Sequence, residues 1–249
     1  GPYLVFFIPP VRLNPFPVMT HRKSFGDSLT WKSNLSTQIL IVDRQTLKVV
    51  SRGETDPWYS WHVGNGYVDA EGNIVADLVR YEDFSTNEYL KEVGLLQTKT
   101  PALGTLWQLR IDPQSGRVID SREMLHLGGE FPVVDPREVG YASRYTYLSV
   151  YRPGVDIARE LWGTIARVDY RTGESNVVDL GVNRYPTEPI YATDADDRDR
   201  GWILTVVFDG DLETSEVWIY DADRLDDKPV CQLALPGIIP IGYHGTWKS

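Results

Sequence analysis

Four residues of this chain have the types and neighbours that metal chemistry uses. His62 lies in Trp61-His62-Val63-Gly64-Asn65-Gly66-Tyr67, and His244 in Gly242-Tyr243-His244-Gly245-Thr246-Trp247. Between them come Glu130, in Glu130-Phe131-Pro132, and Glu188, in Glu188-Pro189-Ile190-Tyr191. Neutral imidazole is a good ligand for divalent transition metals, and a metal-bound histidine usually donates its other N–H to a carboxylate or carbonyl. A glutamate behind the ring fixes its orientation and tautomer, raises its basicity and offsets part of the metal's charge. Each histidine has an aromatic neighbour and nearby glycines, which let a ring enter a crowded space while the backbone turns sharply. Prolines after Phe131 and Glu188 stiffen the backbone that carries each carboxylate. Taken singly, a histidine in a loop or strand is more often a polar core or surface residue, and a glutamate before proline is often solvated.

Other chemistries find less support. His126, in Met124-Leu125-His126-Leu127, reads as structural on an alternating strand, and His21, in Thr20-His21-Arg22-Lys23, as solvated in a basic loop. A two-histidine, one-carboxylate iron triad commonly places a carboxylate two residues after its first histidine, and no histidine here is followed in that way. Walker and GxGxxG loops at strand-to-helix junctions, a Gly-x-Ser-x-Gly elbow and CxxC pairs are lacking. The acidic run from Asp194 to Gly201 has neither EF-hand spacing nor the closing glutamate, and reads as a solvated hairpin tip.

The elements that must position these residues are strands. A strand-turn-strand unit recurs at Gln38 to Val50, Leu106 to Ile119, Thr164 to Gly173 and Glu216 to Asp223. Each has an alternating apolar strand ending in Asp (Asp43, Asp112, Asp169 or Asp221), whose carboxylate can accept backbone N–H groups two or three residues on. The intervals suit a four-stranded unit with insertions, on the roughly 40–50-residue scale of propeller repeats. Helical periodicity is nearly confined to Thr86 to Leu95. With 249 residues and 42% hydrophobic content the chain can bury a real core, as an all-β domain over 1–249. A net charge of −10 argues against nucleic acid. The single cysteine, Cys231, cannot make an internal disulfide and reads as a small buried strand residue.

The ordered motifs Trp-His-Val-Gly-Asn, Glu-Phe-Pro, Glu-Pro and Gly-Tyr-His-Gly-Thr-Trp resemble those of the carotenoid cleavage oxygenase family, the retinal pigment epithelial membrane protein family, and in particular its bacterial and cyanobacterial apocarotenoid oxygenases. The resemblance runs from about Tyr3 to the end of the chain. It implies a seven-bladed β-propeller with iron(II) held by four histidines on its axis, of which this chain is about the C-terminal half, roughly four blades. In that case His62 resembles the third ligand and His244 the fourth, while Glu130 and Glu188 resemble two of three glutamates behind the ligands. The first two histidines and the third glutamate would lie outside this chain. Gly64 and Gly66 depart from the family pattern. The implied activity is cleavage of a carotenoid or apocarotenoid double bond with O₂ to give carbonyl products. The family alternatives are stilbene cleavage and isomerisation, and the alternative outside it is a non-catalytic propeller fragment. The fragment alone is expected to be inactive.

Val11 to Trp31 interleaves apolar Phe16, Val18 and Met19 with Arg12, His21, Arg22 and Lys23. That pattern suits a membrane interface, where aliphatics enter the acyl boundary and cations meet anionic headgroups; an ordinary connecting loop is the alternative. No apolar run approaches the roughly 20 residues of a spanning helix, so a cytoplasmic protein with peripheral membrane contact is expected.

Overall fold

The computed structural model describes residues 1–95, 97–225 and 228–248. The chain is mostly β, and among the described residues its strands form four successive antiparallel sheets and a two-stranded ribbon. The first contains β1 (Tyr3–Ile8). The chain then leaves through a two-stranded ribbon, β2 (Val11–Leu13) and β3 (Leu29–Trp31), and returns as β4 (Thr37–Asp43) and β5 (Val49–Thr55). The second sheet is β6 (Val63–Val68), β7 (Ile74–Tyr81), β8 (Gly104–Ile111) and β9 (Val118–Leu125), in that order. The third is β10 (Gly129–Val133), β11 (Tyr145–Val150), β12 (Thr164–Asp169) and β13 (Ser175–Asp179). In the fourth, β14 (Arg184–Pro186) and β15 (Ile190–Thr193) both pair with β16 (Gly201–Asp209), which continues to β17 (Thr214–Asp221) and β18 (Cys231–Ala234).

Local sequence explains the hairpins. Asp43 Oδ1 accepts from the Gln45 and Thr46 N–H groups at 3.0 and 2.7 Å, and Asp169 Oδ1 from Arg171 and Thr172 at 2.8 and 3.3 Å. Asp112 and Asp221 repeat the contact with Gln114 and Asp223, each at 3.0 Å. The acidic run is the turn between β15 and β16, where Asp194 Oδ1 accepts from the Asp196 and Asp197 N–H groups. Helix α1 (Pro15–Met19), inside the ribbon excursion, starts at Asn14, whose side chain accepts from Phe16 N–H. Helix α2 (Thr86–Gly94) falls where the sequence has its helical period. Cys231 opens an edge strand and is only half-buried, a correction to its reading as a core residue.

The cores are the seams between neighbouring sheets. Ile39, Ile41, Trp58, Leu78 and Ile111 fill the first seam, Leu106, Leu148, Val150 and Val168 the second, and Tyr147, Ile165, Ile203 and Tyr220 the third. The first seam closes to backbone contact: a Cβ on Gly53 would fall 2.0 Å from the Gly116 carbonyl oxygen, and Gly116 has φ +72°. No side chain fits there.

A buried carboxylate lies at the second seam. Asp77 on β7 is 1% exposed. Its Oδ1 accepts from Gln108 Nε2 at 3.0 Å, while Oδ2 meets no donor in hydrogen-bonding geometry. Burial pushes its carboxyl up to about 6, although Gln108 and the hydroxyl of Tyr170, beside β12, temper the effect. The folded chain therefore binds more protons than the unfolded chain, whose aspartate titrates near ~3.9. Stability should fall as pH rises from about 4 to about 6. We expect Asp77→Asn to remove that slope and to exceed the parent by about 2–3 kcal/mol at pH 7, but to match it near pH 4, as measured by urea unfolding at both values.

Candidate functional site

His62 sits in the turn before β6, and its carbonyl accepts from Val79 N–H on β7 at 3.0 Å. The β6–β7 register shifts between Val63 and Asn65, and the β10–β11 register between Glu130 and Val133. Such bulges re-aim side chains. These two turn His62 and Glu130 toward each other across neighbouring sheets, with His62 Nδ1 2.8 Å from Glu130 Oε2. Gly64 makes the approach feasible, because a Cβ there would press on Pro132 at 3.0 Å. Asn65 latches the two sheets: its amide donates to the Tyr141 carbonyl at 2.9 Å and its Oδ1 accepts from Gly140 N–H at 3.0 Å.

His244 arrives from the C-terminal segment. Its Nδ1 lies 3.4 Å from the Glu188 carboxylate, and Gly245 N–H donates to Glu188 Oε2 at 2.9 Å. Glu188 lies between β14 and β15. The two rings meet edge to face with centroids 5.0 Å apart, and their Nε2 atoms are 3.3 Å apart. A carboxylate accepts only, so each glutamate favours the tautomer with the proton on Nδ1. Both Nε2 lone pairs then point toward one region. The alternative, an Nε2–H donated from one ring to the other, would set that ring's Nδ1 lone pair against a carboxylate.

This donor set fits two ligand positions of one metal ion. Two nitrogens about 2.1 Å from one ion lie roughly 3.0–3.4 Å apart between octahedral and tetrahedral angles, and the observed 3.3 Å falls within that span. Among the described residues, no group of three or more His, Cys, Asp or Glu side chains is arranged to hold a metal ion. His126 and His21 do not join the pair. His126 is exposed and pairs with Glu123 at 3.0 Å, and His21 lies in the ribbon excursion with φ +53°.

Around the pair, Phe131 and Tyr243 come from the motifs themselves, whereas the other neighbours carried no sequence signal. Phe131 is buried at φ +61°, and its ring touches His62, His244 and Trp162 at centroid distances of 5.1, 5.7 and 5.5 Å. The Tyr81 hydroxyl donates to Glu130 Oε1 at 2.7 Å. Burial and the Glu130 charge hold this phenol well above its usual range, and push Tyr59 up to about 12. Beside the pair, Tyr89, Leu161, Trp162, Tyr185, Ile241 and Tyr243 line a small apolar pocket.

The profile of the retinal pigment epithelial membrane protein family matches residues 1–249. The chain belongs to this family. Within it, the chain is 26% identical to the apocarotenoid-15,15'-oxygenase of Synechocystis, over 99% of this chain and 50% of the relative. It is 27% identical to the carotenoid isomerooxygenase of Galleria mellonella, over 88% of this chain and 45% of the relative. The resveratrol cleavage oxygenase 1 of Aspergillus fumigatus is 24% identical over 90% of this chain and 48% of that protein. The crystal structure of cobalt-substituted Synechocystis ACO superposes with a TM-score of 0.85 at 25% identity, covering 99% of this chain and 51% of that one. The chain thus spans about half the length of the curated family relatives it matches.

The left-handed backbone at Phe131 gives a direct test of the local geometry. A bulky residue at positive φ costs about 1–2 kcal/mol, whereas deleting a buried phenyl ring costs about 3–5 kcal/mol. Phe131→Ala should lose the ring and keep the backbone strain that the parent already carries. Phe131→Gly should lose the ring but relieve the backbone, and so unfold about 1–2 kcal/mol later than Phe131→Ala. Equal stability in urea would count against the left-handed assignment.

Proposed function

We propose that this chain is about the C-terminal half of a non-haem iron(II) dioxygenase that cleaves a double bond of a carotenoid or apocarotenoid with O₂, giving two carbonyl products. The observation that carries the reading is the pair of imidazole Nε2 atoms at 3.3 Å, each ring backed by a glutamate. Family membership and the names of the relatives agree with it. In this reading the four sheets are blades of a seven-bladed propeller. Apolar side chains exposed on the two end sheets, Phe6 and Ile8 on β1 and Leu233 on β18, fit surfaces that further blades would cover.

His62 and His244 would hold the iron, with Glu130 and Glu188 fixing their tautomers. Bound iron(II) would supply the O₂ chemistry that side chains lack. Phe131 lies against both imidazoles, and Trp162 packs edge to face on Phe131. The small pocket lined by Tyr89, Trp162 and Tyr243 offers aromatic faces and few polar groups, which suits contact with part of an apolar chain. We expect the full-length protein to retain stoichiometric iron, and His62→Ala or His244→Ala each to lose it along with the release of shortened aldehydes from an apocarotenal. Iron analysis and chromatography provide the check, and stoichiometric iron in either variant would reject the ligand assignment.

Peripheral membrane contact is part of the proposal. On the ribbon excursion Phe16, Met19 and Phe25 are exposed, whereas Val18 is half-buried and contributes less than its place in the sequence suggests. An open cleft lined by His21, Arg22, Lys23, Asp27, Glu88 and Lys91 adjoins them, with Lys91 paired to both carboxylates at 2.7 Å. Among the described residues no helix is long and apolar enough to cross a membrane. Phe16→Ser, Met19→Ser and Phe25→Ser together should abolish sedimentation with anionic liposomes and leave iron content unchanged. Undiminished sedimentation would remove the interfacial reading.

A further inference from the structure

The carboxylate behind His62 is held from two directions. Glu130 Oε2 accepts from His62 Nδ1 at 2.8 Å and from Phe131 N–H at 3.1 Å. Oε1 accepts from the Tyr81 hydroxyl at 2.7 Å. Tyr81 ends β7 and is 4% exposed, and Glu130 is 2% exposed, so water does not take part in this contact. β7 also grips the histidine's own turn. Val79 N–H donates to the His62 carbonyl, and Tyr81 and Tyr59 exchange backbone hydrogen bonds at 2.8 and 3.0 Å. One strand thus fixes the His62 main chain directly and the His62 ring through Glu130.

We propose that Tyr81 is a positioning residue for the imidazole pair, its hydroxyl fixing Glu130 so that His62 Nδ1 stays the donor and Nε2 presents its lone pair toward His244. The consequence for metal binding rests on His62 being a ligand; the consequence for the tautomer does not. With three donors, Glu130 is a pure acceptor, and the only proton that suits Oε2 from the imidazole side is one on Nδ1. Removing the hydroxyl leaves Oε1 buried without a donor. The carboxylate is then free to rotate away from its fixed position, which releases the ring. Among the described residues the other arm has no matching phenol: Glu188 accepts from Gly245 N–H and faces His244 at 3.4 Å, in a setting where His244 is 60% exposed. Tyr81 therefore acts on one imidazole only.

The test uses the full-length protein, prepared metal-free, with Tyr81→Phe as the variant. Nitrogen-15 spectra of the His62 ring should report the Nδ1–H tautomer in the parent and a mixed population in Tyr81→Phe. Titration with Co²⁺ alone should show about 10–100-fold weaker binding in the variant, the range for lost partners of metal-bound histidine, and a changed visible absorption. Tyr151→Phe is the control: that buried hydroxyl makes no hydrogen bond to Glu130 or His62, so both readouts should stay at parent values. Tyr81→4-aminophenylalanine keeps a donor in place and should restore them. If Tyr81→Phe fails to fold, this last protein decides, and an Nε2–H tautomer at His62 in it overturns the proposal. Parent-like tautomer and Co²⁺ affinity in Tyr81→Phe, or an equal loss in Tyr151→Phe, overturn it as well. A parent that binds no Co²⁺, while Tyr81→Phe still shifts the tautomer, rejects the metal reading and supports the positioning role.

Discussion

A carboxylate with almost no access to water is costly unless donors surround it, because the charge gives up its hydration on burial. Glu130 is such a group, and its three donors come from three places: the Tyr81 hydroxyl on the second sheet, the Phe131 N–H beside it, and the His62 ring ahead of β6. Much of the local irregularity follows from gathering them. Phe131 turns left-handed with its N–H on Glu130 Oε2, and β6 and β10 both bulge at the residues concerned. Backbone strain of this kind persists only where the surroundings over-determine it.

The spacing of the sheets is set by the same region. Gly64 lets Pro132 come close, and Asn65 ties the second sheet to the loop before β11. A one-residue slip in either sheet would turn His62 or Glu130 to the opposite face. Leu106, Leu148 and Val168, packed along the second seam, oppose such a slip by their burial.

The two imidazoles are held unequally. His62 is clamped by β7 and by a buried carboxylate, while His244 lies on an exposed segment held by Glu188. That segment also carries Ile241 and Tyr243, which line the apolar pocket. Pocket wall and second imidazole are therefore one stretch of backbone, and displacement of one displaces the other.

What the sequence determined by itself is local. Aspartate at the end of an alternating strand caps its turn whatever lies beyond it, so the hairpins at Asp43, Asp112 and Asp169 were legible, as was helix α2 from its period. The strings around His62, Glu130, Glu188 and His244 were legible as motifs, and family membership follows from them. Tertiary structure alone decided that two rings 182 residues apart meet at 3.3 Å, and which of fourteen tyrosines donates to Glu130. It also decided that Val18 is half-buried while Phe25 stays exposed, and that Cys231 lies on an edge. The physical reason is range. Caps and periodicities are satisfied within a few residues, whereas the register and spacing of stacked sheets are fixed by many side chains from separate stretches of chain packing at once.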